Sequence, residues 1–236
     1  MFQALFTLCC LAAVLTVPLG CASTGEQRTD SRPAPLPFAI AIHAGAGSIP
    51  RDIPDAERRA RTEALSEALE AGRARLAAGE AALDVVEHVV RRLENDPQFN
   101  AGRGAVLTAD GTHELDASVM DGRTRDCGAV TGITTVRHPI SLARFVMTDS
   151  RHVFLAGAGA ERFADGLPLE RVSNEFFDTS KRREALERVL ERRRERKEAH
   201  DREKEDPEGG STVGAVALDR EGNLAAATST GGLTAK

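Results

Sequence analysis

Ser211-Thr212-Val213-Gly214-Ala215-Val216-Ala217-Leu218-Asp219, then Arg220-Glu221-Gly222, then Asn223-Leu224-Ala225-Ala226-Ala227-Thr228-Ser229-Thr230-Gly231-Gly232, constrains the fold more than any other stretch. Two short apolar runs flank a charged turn containing glycine, a pattern that predicts a β-hairpin. With Arg220-Glu221-Gly222 as the loop and Gly222 in the left-handed position, Asp219 closes against Asn223. Counting outward, Thr212 falls opposite Thr230, with both hydroxyls on one face and their Cβ atoms about 5 Å apart. Two readings of the pair are open. It is a cross-strand threonine pair that supports the sheet, or Thr212 becomes a new N-terminus by self-cleavage and acts as a nucleophile with its own α-amine as base.

The 236 residues have room for one or two domains. A net charge of −5 and the absence of Trp and Tyr argue against a nucleic-acid partner, which needs positive charge and aromatic stacking surfaces. Met1 to Leu19 is uncharged and almost wholly apolar, and it runs into Pro18-Leu19-Gly20-Cys21-Ala22-Ser23. Residues 1–21 therefore read as an export signal. The small residue before Cys21 and the polar tract after it resemble a bacterial lipoprotein signal, with a lipid anchor at Cys21 and a periplasmic or membrane-anchored location. An ordinary cleaved signal and an uncleaved anchor are the alternatives. Residues 22–37 are a polar tether. Cys9, Cys10 and Cys21 precede the body of the chain, so Cys127 stands alone there and reads as a small buried core residue.

Phe38-Ala39-Ile40-Ala41-Ile42-His43 predicts a strand, and His43 reads as a core or strand-end histidine. The glycines that follow lack the spacing of a phosphate loop. Asp55 to Ala78 predicts a helix with Leu65, Leu69 and Leu76 on one face. Ala82, Val85, Val86, Val89, Val90 and Leu93 give a second helix an apolar stripe, stopped by Asp96-Pro97. Gly102 and Gly104 allow a tight loop whose carbonyls can hold a hard cation, although an ordinary connection is the default. Ala105 to Thr108, Glu114 to Met120 and Ala129 to Val136 read as an antiparallel meander. Ile140 to Met147 reads as a helix, His152 to Ala156 as a strand and Ala158 to Ala164 as a helix. One sheet is too small for these helices, so the class is α+β with two packed sheets. Ser180 to Gly210 is dense in mixed charge, and such segments bury too little surface to fold firmly. The expectation is a mobile linker over 181–210 that delivers the chain to Ser211 and Thr212.

Several blocks together resemble one family: Phe38 to Gly47, Phe99-Asn100-Ala101-Gly102-Arg103-Gly104-Ala105-Val106, His113-Glu114-Leu115-Asp116-Ala117-Ser118-Val119-Met120-Asp121-Gly122, and Thr212 to Gly232. It is the plant-type asparaginase and isoaspartyl peptidase family. The resemblance implies an αββα sandwich of two packed antiparallel sheets between helical layers, the N-terminal nucleophile hydrolase fold. Residues 38–180 would form the α-subunit core and 211–236 the start of the β-subunit hairpin. Thr212 would be the nucleophile, freed by cleavage after Ser211, and it would attack a side-chain amide of asparagine or a β-aspartyl dipeptide carbonyl. Thr230 would orient its hydroxyl, and Asn100 and Gly231 would lie near it. The main-chain carbonyls of Leu93, Glu94, Asp96, Phe99, Ala101 and Arg103 would hold a structural sodium ion. No catalytic cofactor is implied, and cleaved αβ units would pair as a homodimer.

Three departures accompany the match. Ser211 stands in place of the family's Gly, Ala235 in place of its usual Asn, and the family's substrate-clamping Arg and Asp and its Gly-Thr-Gly oxyanion segment fall after Lys236. A C-terminally truncated asparaginase or isoaspartyl dipeptidase precursor is the expectation. A truncated non-catalytic lipoprotein scaffold is the alternative, and a glycosylasparagine amidase is the rival within the enzyme class.

Overall fold

The expected hairpin lies in the middle of a six-stranded sheet. The computed structural model describes residues 38–45, 53–199 and 212–236, without the side chains of 198 and 199. The elements are β1 (Ala39–Ala44), α1 (Asp55–Ala77), α2 (Ala82–Asn95), β2 (Leu115–Asp121), β3 (Cys127–Ile133), α3 (Pro139–Asp149), β4 (Phe154–Ala156), α4 (Gly157–Ala164), a 3-10 turn (Asn174–Phe177), α5 (Ser180–Ala199), β5 (Val213–Leu218) and β6 (Leu224–Thr230). Strand order is β1-β5-β6-β2-β3-β4. All neighbours are antiparallel except β3 and β4, which run parallel, so the sheet is mixed at that edge.

The hairpin closes as its turn chemistry requires. Asp219 N–H donates to Asn223 O at 3.0 Å, Gly222 N–H donates to Asp219 O at 3.2 Å, and Gly222 has φ +81°. Asp219 does a second job. Its Oδ2 accepts the Ala82 N–H at 3.1 Å and so caps α2, whose own N-cap residue, Ala81, offers no side-chain acceptor. Burial pushes the Asp219 carboxyl up, but bonds from the Ala82 and Asn223 N–H groups, the Asn223 side chain and the Glu221 N–H outweigh it and hold it below the usual range.

The α2 stripe Ala82, Val85, Val86, Val89, Val90 and Leu93 is wholly buried, as expected. It packs under β5 and β6, whose inward residues Ala215, Ala217, Ala225 and Ala227 are small enough to let the helix close on the sheet. Burying five large aliphatic side chains contributes on the order of 10 kcal/mol before chain entropy is subtracted. On α1 Ala68, Gly72 and Leu76 are buried and Leu65 packs against the core, while Leu69 is 38% exposed, so the helix is turned slightly from the expected leucine face. Gly72 sets this rotation: a Cβ there would meet Ile40 Cδ1 at 2.6 Å and Val89 Cγ2 at 2.8 Å.

Of the two sheets expected, the described residues form one. Its other face carries Val216, Ala226, Met120 and Cys127 along one register line and Thr228, Ser118, Ala129 and Phe154 along the next. Val216, Met120 and Phe154 on it are exposed. Cys127 is exposed too, contrary to the buried-core expectation, because its place in the β2–β3 pleat opposite Met120 turns it to this face.

Two further expectations change. Ala105 to Thr108 is not a strand: its main chain bonds instead to the Asn100 side chain, to Thr112 and to Ala235. Residues 181–199 of the expected linker belong to α5, which starts at Ser180. Glu, Arg, Ala and Leu are strong helix formers, and Leu186 and Val189 are buried against Leu107 and Ala235. Arg182 donates to Gly104 O at 2.6 Å and Arg193 to Ala235 O at 2.7 Å, which fixes the helix to the core. The rest of that linker, with Ser211, the export signal, Cys21 and the tether, lies outside the described residues.

Candidate functional site

The register Val213↔Ser229 continues by one step to set Thr212 opposite Thr230. Thr212 Oγ1 donates to Thr230 Oγ1 at 3.2 Å, and Gly232 N–H donates to the same oxygen at 3.0 Å. The Thr230 hydroxyl is therefore held from two sides, and the Thr212 hydroxyl is held by it. Thr212 stands one residue before β5 and Thr230 ends β6, so both hydroxyls stand at the sheet rim, half-buried, where a reactant can approach.

Asn100 reaches this rim from the loop after α2. It is fully buried. Its Nδ2 donates to Gly232 O at 2.8 Å, its Oδ1 accepts Val106 N–H at 2.8 Å, and its main-chain O accepts Gly231 N–H at 3.1 Å. Gly231 is required by this closeness: a Cβ there would lie 2.6 Å from Asn100 Oδ1, 2.7 Å from Ala105 Cβ and 2.9 Å from Val106 N. Asn100 and Gly231 thus come together with Thr212 and Thr230. Ser211 lies outside the described residues.

Leu93 and Glu94 close the last turn of α2, and the loop that follows, with Asp96, Phe99, Ala101 and Arg103, folds back on them. Glu94 O accepts Arg103 N–H at 2.7 Å, Leu93 O accepts Asp96 N–H and Asp96 O accepts Phe99 N–H. A Cβ on Gly102 would come within 2.4 Å of Glu94 O, and one on Gly104 within 2.4 Å of Pro97 O. Among the described residues no group of three or more His, Cys, Asp or Glu is placed to hold a metal ion. Cation binding in this loop would therefore fall to neutral main-chain oxygens, a donor type suited to a hard ion of low charge.

The sequence reading missed three groups here. Asp116, the register partner of Thr230, has Oδ1 bonded by the Thr131 hydroxyl and by Gly132 N–H at 3.0 Å. Lys236 Nζ lies 4.0 Å from Asp116 Oδ2 and donates to Glu114 O at 2.8 Å. Asp116, Ser118, Thr131, Phe154, Thr228 and Thr230 line a hydroxyl-rich groove of about 300 Å³ beside the threonine pair. The third group is the Glu94 side chain. It is 0% exposed, and it binds Ser229, Ile140 and His138 beneath the sheet. A signal existed for Glu94: it falls four residues after Val90 on an otherwise apolar helix face. Asp116 became visible only once β2 was paired with β6.

A model of the asparaginase family matches residues 36–236. The isoaspartyl peptidase of Escherichia coli strain K12 is 52% identical over 201 residues, 84% of this chain and 62% of that protein. The isoaspartyl peptidase/L-asparaginase of Rattus norvegicus is 38% identical over 219 residues, 93% of this chain and 63% of that protein. A probable isoaspartyl peptidase/L-asparaginase 2 of Arabidopsis thaliana is 42% identical over 217 residues. The chain spans 62% of the length of the first of these relatives and 63% of the second.

Proposed function

The chain belongs to the asparaginase family, whose members have the N-terminal nucleophile hydrolase fold, and we propose that it is the precursor of an amidohydrolase that cleaves itself between Ser211 and Thr212. The product hydrolyses the side-chain amide of L-asparagine and the isopeptide bond of β-aspartyl dipeptides. The observation that carries this reading is the 3.2 Å bond from the Thr212 hydroxyl to the Thr230 hydroxyl at the rim of the sheet. The names of the relatives, isoaspartyl peptidase and L-asparaginase, support the substrate class.

In the precursor, Thr212 Oγ adds to the Ser211 carbonyl carbon, the C–N bond breaks, and the acyl group rests on oxygen as an ester. Water then hydrolyses the ester and leaves a carboxyl on Ser211 and a free α-amine on Thr212. That amine, with an unperturbed pKa of about 8, takes the proton of the Thr212 hydroxyl near neutral pH. The freed oxygen attacks the substrate carbonyl and ammonia or the amine leaves. Water releases aspartate from the acyl-enzyme. Thr230 fixes the direction of the attacking oxygen. Reacting groups held in this way avoid much of the entropic cost of encounter.

The proposal extends to the end of α2 and the loop after it, residues 93–103, where the folded-back carbonyls suit a structural sodium ion with no part in the chemistry. It extends also to an exported protein, periplasmic or anchored at Cys21, and to a homodimer of cleaved units. The test is the mass of purified full-length protein and of Thr212→Ala, with assays on L-asparagine and a β-aspartyl dipeptide. The expected result is two fragments for wild type, one whole chain for the variant, and hydrolysis only where cleavage has occurred. A wild-type chain that stays whole overturns the reading.

A further inference from the structure

We propose that Glu94 is a positioning residue for the threonine pair and that it acts through Ser229. The proposal rests on the amidohydrolase reading above and adds to it the support beneath the reacting groups.

Glu94 is buried to 0% exposure on the last turn of α2. Oε1 accepts Ser229 Oγ–H at 2.7 Å and Ile140 N–H at 3.0 Å, and Oε2 lies 3.2 Å from His138 Nδ1. One side chain therefore joins α2, the N-terminus of α3 and β6. A carboxyl withdrawn from water is expensive unless each oxygen is bonded, and an apolar residue would fill this helix position at no such cost. The cost goes to tying down one point of the sheet.

That point is next to Thr230. Ser229 precedes it and is bonded to the Glu94 side chain. Gly231 follows it, and its N–H is bonded to the Asn100 carbonyl. The loop carrying Asn100 is itself closed on Glu94, whose main-chain O accepts Arg103 N–H at 2.7 Å. Both chain neighbours of Thr230 are thus anchored to the end of α2 and its loop. Ser229 is also the register partner of Val213, the residue after Thr212. A shift of Ser229 moves both threonines, and a displacement of a fraction of an ångström between reacting groups costs rate steeply.

The experiment uses the full-length protein as wild type, Ser229→Ala, Glu94→Ala, the Ser229→Ala/Glu94→Ala double variant and Glu94→Gln. Leu76→Ala, buried in α1 away from the rim, reports stability loss alone. Ser229→Ala should slow self-cleavage and lower kcat by about tenfold, with KM within about twofold of wild type. The double variant should be no slower than Glu94→Ala, because the two act as one unit. Glu94→Gln, which keeps a carbonyl oxygen for Ser229 and Ile140, should recover most of the rate, and Leu76→Ala should lower the melting temperature with kcat unchanged. A Ser229→Ala protein with wild-type cleavage rate and kcat, or losses that add in the double variant, overturns the proposal. A wild type that splits but hydrolyses neither substrate overturns the activity, while the cleavage rates still decide the role of Glu94.

Discussion

Thr212 Oγ1 donates to Thr230 Oγ1 at 3.2 Å across the open end of the central hairpin. A hydroxyl with one fixed acceptor has its remaining lone pairs directed, and here Gly232 N–H fixes the acceptor in turn at 3.0 Å. Thr230→Val keeps the shape of the side chain and removes the oxygen. Self-cleavage and turnover should both fall about 100-fold, and Thr230→Ser should stay within about fivefold of wild type. Timed gel analysis of cleavage, with turnover of the matured protein, measures this. A valine variant that cleaves at the wild-type rate would leave the pair as sheet support only.

Gly231 and Gly214 face different neighbours, so the same substitution should have different results. At Gly231 the added Cβ meets the Ala105 Cβ and the Val106 backbone nitrogen, which cannot swing away. At Gly214 it meets the far end of the exposed His43 side chain, with Ala227 O at 3.2 Å as the next contact. Gly231→Ala should cost about 3 kcal/mol and Gly214→Ala under about 1 kcal/mol. Urea unfolding of both variants in a Thr212→Ala background, where every chain stays whole, compares them directly.

The parts legible in the sequence are those set by neighbours in the chain. The hairpin register depends on three turn residues and the count on either side, so the Thr212–Thr230 pairing followed before any fold was known. The α2 stripe was equally legible because its period is local. Ala105 to Thr108 has strand-like composition, yet its main chain bonds to the Asn100 side chain, to Thr112 and to Ala235, and no alternation of residues shows that. In α5 the charge density suggested a loose linker, while Leu186 and Val189, three residues apart, were enough for docking once Leu107 and Ala235 were in place. Asp116 looked like one more polar residue on an alternating strand until β2 was set beside β6.

Ala235 has φ +59°, a left-handed conformation in which its Cβ is crowded by its own backbone. The position is held by the Ala235 N–H bond to Leu107 O at 2.8 Å and the Arg193 bond to Ala235 O at 2.7 Å. Glycine accepts this conformation without strain, and asparagine tolerates it. Ala235→Gly should stabilise the fold by about 0.5–1 kcal/mol, less whatever the small buried contact with Leu107 contributes, and Ala235→Asn by a smaller amount. Thermal unfolding with matched controls reads the difference, and a destabilised glycine variant would mean that the methyl contact outweighs the strain.

His113 should make the protein acid-sensitive below about pH 6.5. It is 2% exposed, and neither ring nitrogen makes a full hydrogen bond. Burial pushes its pKa down. Asp178, 3.7 Å away, and the carbonyls of Val106 and Ala105 pull the other way without overcoming it. The unfolded chain therefore binds a proton at His113 more readily than the folded chain does. The stability that comes from burying the neutral ring is fully present above the unfolded value of about 6.5 and is lost as pH falls from there toward the lowered folded value. One proton can account for a slope of at most about 1.4 kcal/mol per pH unit. His113→Phe fills the site beside Phe177 without a titrating group. Urea unfolding at pH 7.5, 6.5 and 5.5 should show a steeper loss for wild type than for the variant. Parallel curves would mean that the ring finds a partner when it is protonated. The readout reaches the site itself, because His113 packs by Val106, whose N–H holds the Asn100 side chain. Protonation that loosens this contact should slow self-cleavage of the wild type below pH 6.5 more than it slows His113→Phe.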